Sequence, residues 1–182
     1  MKNIAVLGVG NILEEDDGVA VYETKYIEEN YIFEPSISII NGGVEGINLL
    51  NLFMEYGYVL ILDAIEIEDE AGSMYHIPSQ QLTGYGLNSG GAHEIGVLQC
   101  FDILELMGKE SPVSSVLGII PKTIDVHIGL SDVMYNSFDT YIKMALNIIE
   151  KENIKITKKE KSISLVQIIE EFKNPGYAQY SD

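Results

Sequence analysis

The sequence contains no arginine, and its 11 lysines stand against 28 acidic residues, giving a formal net charge of −17 over 182 residues. A field of that sign repels phosphate. It excludes nucleic acid and an anionic membrane surface as expected partners, and it attracts cations and basic peptide segments. The shortage of positive charge is uneven: residues 1–150 hold 5 lysines and 23 acids, whereas residues 151–182 hold 6 lysines and 5 acids. Cysteine is nearly missing as well. Cys100 stands alone, which excludes an internal disulfide framework and fits a reducing compartment. It falls in an apolar helical stretch, so a packing role is expected of it rather than a reactive thiol. Long hydrophobic runs are also lacking. No window approaches the ~18–20 apolar residues of a membrane span, and the short run after Lys2 is interrupted by Gly8 and Gly10, unlike a signal peptide. The expectation is a cytoplasmic globular protein, monomeric because no feature argues for a dimer.

Several catalytic motifs are absent too. Gly8-Val9-Gly10 follows an apolar run, but the third glycine of a dinucleotide-binding loop would fall on Leu13, and Glu14-Glu15-Asp16-Asp17 would face a pyrophosphate with like charge. There is no GxSxG elbow, and Cys100 has no evident base beside it. His93-Glu94 lacks the second histidine of a thermolysin-like HExxH site.

What is present is a 46% hydrophobic chain in which short apolar runs alternate with helical periodicity. Asn3–Leu7, Ile37–Ile40, Tyr58–Leu62 and Val113–Ile120 read as strands, with Ser73–Ile77 a further strand nearer an edge. Helices are expected from Asp16–Asp17 onward, from about Gly46 to Tyr56, from Glu94 to Met107 and over Val133–Ile149. Residues 79–92 form a Gly-, Ser- and Asn-rich loop of the kind that carries function. Residues 151–161 read as a solvated Lys-rich connector, followed by a short terminal helix over Ile163–Phe172. This alternation predicts an α/β fold, a three-layer α/β/α sandwich with a mostly parallel twisted sheet, over residues 1–150. No second domain is assigned to residues 151–182.

Ligands of such sheets gather outside the carboxyl ends of the strands. Asp17 lies in the loop after the first strand, Asp63 ends the central one, and His93 closes the long loop before a helix. Two carboxylates and an imidazole can hold a divalent transition metal and leave positions open for water or substrate. Each has a plainer reading: Asp16 or Asp17 as a helix cap, Asp63 as a structural acceptor, His93 as a helix-start residue. His76 reads as a strand or surface residue, and His127 as a loop residue near the rim.

With these segments laid out, the chain resembles the hydrogenase maturation endopeptidases over roughly residues 3–150. The likeness rests on Gly8-Val9-Gly10-Asn11 with Asp16-Asp17-Gly18, on Asn41-Gly42-Gly43 with Gly46, and on Asp63-Ala64. Ala92-His93-Glu94-Ile95-Gly96 and Ile120-Pro121 through His127-Ile128-Gly129-Leu130-Ser131 complete it. The resemblance implies metal ligands at Asp17, Asp63 and His93, the same trio that strand topology suggests. It implies a substrate that is the nickel-loaded large-subunit precursor of a nickel-iron hydrogenase, trimmed at its carboxyl end. Nickel(II) would come with the substrate, and cadmium or zinc would be able to occupy the site in vitro. Asp16, outside the ligand set, is the candidate for proton transfer. One departure is Asn41, where the family commonly has Asp; it keeps the turn but cannot act as a base. A non-catalytic nickel-sensing or chaperone-like protein, and a metal-independent acidic interaction domain, are the competing classes.

Overall fold

A computed structural model describes residues 3–81 and 97–175. Five strands form the central sheet: β1 (Ile4–Val9), β3 (Ser38–Gly43), β4 (Tyr58–Ala64), β5 (Met74–Pro78) and β6 (Val113–Ile119). Their spatial order is β3-β1-β4-β6-β5, parallel throughout except for β5, which runs antiparallel along β6 at the edge. β1 and β4 lie inside the sheet, so both of their faces must be apolar, which is why they read as continuous hydrophobic runs. Alternate side chains feed opposite cores. Val6, Leu60 and Leu62 enter one core, while Leu7, Val59 and Ile61 enter the other.

The first core is closed by α1 (Val19–Asn30), α4 (Asp132–Lys151) and α5 (Leu165–Lys173). The second is closed by α2 (Leu50–Glu55) and α3 (Val97–Leu106). The result is the expected three-layer α/β/α sandwich. Cys100 is fully buried in the second core with its Sγ 3.5 Å from the Gly46 carbonyl, and burial raises its pKa. It is a packing residue. On α4, Met134, Phe138, Tyr141, Ile142, Ala145 and Ile149 are all buried, the i, i+4, i+7 stripe that drives a helix onto a core.

Two differences from the sequence reading concern short elements. The stretch from Gly46 opens as a 3-10 turn over Gly46–Leu49 before α2 begins. The Lys-rich connector contains a strand, β7 (Lys155–Lys158), paired antiparallel with β2 (Tyr31–Glu34) in a separate ribbon. Lys155, Thr157 and Lys158 of β7 are exposed while Ile156 packs inward against the first core, so the strand keeps one apolar anchor despite its composition. The terminal helix is equally anchored, with Ile168 and Ile169 buried. Its start is fixed by a capping box in which Ser164 and Gln167 exchange hydrogen bonds.

Candidate active site at the carboxyl ends of the parallel strands

Register aligns the candidate loops on one rim. Gly8 of β1 stands opposite Asn41 of β3 on one side and Leu62 of β4 on the other, so Asp63 lies one step past that line. The first loop is stitched to the second, because Gly10 N–H donates to the Gly43 carbonyl at 3.0 Å. Gly10 has a φ of 143°, and a β-carbon there would collide with the carbonyl of Asp17, so only glycine lets the loop fold back over the strand end. Asn41 Oδ1 accepts the Gly43 N–H at 3.1 Å. The amide thus forms the turn that an aspartate would form.

The two neighbouring acids of the first loop do different work. Asp16 is fully buried. Its carboxylate accepts from Lys122 N–H at 2.9 Å, Thr123 N–H at 3.2 Å, Ser131 N–H at 2.7 Å and the Ser131 hydroxyl at 2.7 Å. A carboxylate with its lone pairs so engaged is a clamp, and the expected proton-transfer role for Asp16 is withdrawn on that ground. Nor does either acid cap α1: the cap position is Gly18, with no side-chain hydrogen bond. Asp17 is half-buried, and its Oδ2 accepts the Asn11 N–H at 2.6 Å. That contact fixes the carboxylate within the first loop.

Asp63 is 7% exposed, and its backbone is fixed from beneath. The Tyr141 hydroxyl on α4 accepts the Asp63 N–H at 3.2 Å and donates to the Leu117 carbonyl at 2.7 Å. Burial, then the charges of Glu23 and Asp63, hold that hydroxyl well above its ordinary pKa. Glu23 on α1 was not singled out by the sequence. It is fully buried, with no hydrogen-bond partner for either carboxylate oxygen among the described residues. Desolvation raises its pKa well above the ordinary 4.5, which favours the neutral acid. Only its position on the inward face of α1 distinguishes it from the solvated glutamates around it.

His93 lies outside the described residues, as do Glu94, Ile95 and Gly96. Among the described residues, no three His, Cys, Asp or Glu side chains converge as a metal-binding group. The structure places His127 against the first loop: its N–H donates to the Leu13 carbonyl at 3.0 Å, and its carbonyl accepts the Glu15 N–H at 2.9 Å. His76 sits on β5 with Nε2 2.9 Å from Ser115 Oγ. The same oxygen is 2.9 Å from the Tyr58 hydroxyl, and Ser115 is buried in the amino-terminal half of β6. This is a packing network away from the rim, not a nucleophile and base.

Fold and rim together define an α/β/α sandwich protein with acidic side chains at the carboxyl ends of its parallel strands. Residues 21–148 match the hydrogenase maturation protease family, and the chain belongs to that family. It is 26% identical over 158 residues to the Hydrogenase 2 maturation protease of Escherichia coli (strain K12), covering 86% of this chain and 96% of that protein. It is 22% identical over 169 residues to the hydrogenase expression/formation protein HupD of Rhizobium leguminosarum bv. viciae, covering 92% and 84%. The solved hydrogenase maturating endopeptidase HybD from E. coli superposes with a TM-score of 0.79 at 24% identity, covering 88% of this chain and 99% of that one. A hydrogenase maturation protease is therefore the activity class.

Proposed function

We propose that this protein cleaves a carboxyl-terminal extension from the nickel-loaded large-subunit precursor of a nickel-iron hydrogenase, gripping the bound nickel through Asp17, Asp63 and His93. The observation that carries the reading is the shared rim. Asp17, oriented by the Asn11 N–H, lies in the loop that follows β1, and Asp63, held through Tyr141, lies near the end of β4, the parallel neighbour of β1. Carboxylate oxygens with one imidazole suit nickel(II), and they suit zinc or cadmium as substitutes. Nickel seated there supplies Lewis-acid chemistry to a peptide carbonyl or a water. The chain's own residues place the cleavage point at the strand rim, and the stitched first and second loops keep that rim preformed.

The protein is expected to act as a monomer in the cytoplasm, on a protein partner, with no nucleic acid or membrane involved. Among the described residues no helix is long and apolar enough to cross a membrane. Alanine at Asp17, Asp63 or His93 is expected to abolish nickel-dependent cleavage of the precursor while leaving the protein folded. Full activity in any one variant removes that residue from the ligand set. Asn41 supports a second reading, a nickel-sensing assembly protein that leaves the precursor uncut, because an amide supplies the turn but no base. The mass of the precursor after incubation separates the two.

A further inference from the structure

A groove of about 390 Å³ opens beside the candidate site. One wall is the chain leaving β4, with Glu66, Ile67 and Glu68; the other is the chain leaving β6, with Pro121, Lys122 and Ile124. Ile67 is 36% exposed and Ile124 43% exposed, so the groove presents apolar surface to solvent. Glu66 and Glu68 are both exposed and flank Ile67, leaving the lining with two carboxylates against the one ammonium of Lys122.

Both walls run directly out of the site. Glu66 follows Asp63 by three positions, and the backbones of Lys122 and Thr123 are held by the Asp16 carboxylate next to Asp17. The walls are also fixed to each other. Ile65 N–H donates to the Ile119 carbonyl at 2.9 Å, and Gly72 N–H to the Ile120 carbonyl at 2.8 Å. A recess formed in advance spares a ligand the cost of ordering it.

We infer that this groove docks an extended segment of the substrate polypeptide, one carrying a lysine or arginine beside a branched apolar residue. The apolar side chain covers Ile67 and Ile124 while the cation lies between Glu66 and Glu68. The inference rests on the protease reading above and supplies what that reading lacks, a surface that holds the chain rather than the metal.

The test uses the 182-residue protein and the purified nickel-loaded precursor, comparing wild type with Ile67→Asp and with the double variant Glu66→Lys/Glu68→Lys. Binding is followed by calorimetry and cleavage by mass spectrometry. All these positions are exposed, so folding is preserved, and a thermal melt verifies it. The expected result is affinity weakened by about tenfold or more and KM raised to match, with kcat within about twofold of wild type. Variants that bind and cleave like wild type overturn the inference. A wild type that binds through the groove but leaves the precursor uncut contradicts the protease reading and leaves the groove standing. Variants that alter only self-association in light scattering show a second copy of this chain in the groove, and that also overturns it.

Discussion

Asp16 and Ser131 are joined by two hydrogen bonds of 2.7 Å across 115 positions of the chain, one from the Ser131 N–H and one from its hydroxyl. Ser131 is at the same time the cap of α4, accepting the Met134 N–H at 3.4 Å. One buried carboxylate therefore ties the first loop to the start of α4 and to the loop after β6. Asp16→Asn replaces one accepting oxygen with an NH2 group, which even in its better orientation faces the Ser131 N–H, donor against donor. Hydrogen bonds to charged groups contribute about 1.5–3 kcal/mol each, and stranded donors add to the loss. Urea unfolding should show Asp16→Asn destabilised by about 2–4 kcal/mol, whereas Asp17→Ala, which strands the Asn11 N–H, should cost less stability and abolish cleavage. The reverse pattern would mean that the roles of the two acids are exchanged.

Tyr141→Phe removes the hydroxyl that joins Asp63 N–H to the Leu117 carbonyl. Both backbone groups are buried and lose a partner, at an expected cost of about 1–3 kcal/mol in denaturant unfolding. Because the lost contact lies under Asp63, nickel affinity measured by calorimetry should fall as well. A stability loss with unchanged nickel affinity would detach Tyr141 from the site.

Glu23 gives the fold a pH dependence of definite sign. Its folded pKa is raised by burial above the ordinary 4.5. Below that value both folded and unfolded chains carry the proton, and its contribution to stability is complete. As the pH rises, the unfolded chain ionises first and stability falls until the folded value is reached. Glu23→Gln removes this loss. Relative to wild type, the variant should gain stability from about pH 5 toward neutrality, by about 1.4 kcal/mol for each unit separating the two pKa values. Equal stability curves for variant and wild type across that range would show that Glu23 is ionised or solvated in the folded protein.

The sequence disclosed the sheet far better than the ribbon beside it. β1 and β4 are buried on both faces, so an unbroken apolar run is their only workable composition, and Asn3–Leu7 and Tyr58–Leu62 announce them. β2 and β7 are four residues each, partly exposed, and make sense only when paired across more than a hundred intervening residues. No local pattern signals that. The site was legible to the level of the loop but not of the atom. Asp16 and Asp17 are adjacent acids in one turn, and only tertiary contacts from Lys122, Thr123 and Ser131 separate a clamp from a candidate ligand. Glu23 was hidden for the same reason, since its burial depends on how α1 packs against α4 and the sheet.

Residues 151–182 fall outside the family match of 21–148, yet part of them completes the first core. Ile168 is fully buried, with Phe172 packed edge-on against Tyr22 at 5.4 Å between ring centroids. Ile168→Ala should cost about 2–4 kcal/mol, and a chain ended after residue 151 should bind a hydrophobic dye and melt at lower temperature. A truncated chain as stable as the full one would show that this helix decorates the core without supporting it.

The most direct test of the central claim is the mass of the hydrogenase large-subunit precursor after incubation with this protein, with and without nickel loaded. Loss of a carboxyl-terminal peptide only from the nickel-loaded precursor, abolished in Asp17→Ala, Asp63→Ala and His93→Ala, is the predicted result. Cleavage that is indifferent to nickel, or an intact precursor bound by a protein that still takes up nickel, would contradict it.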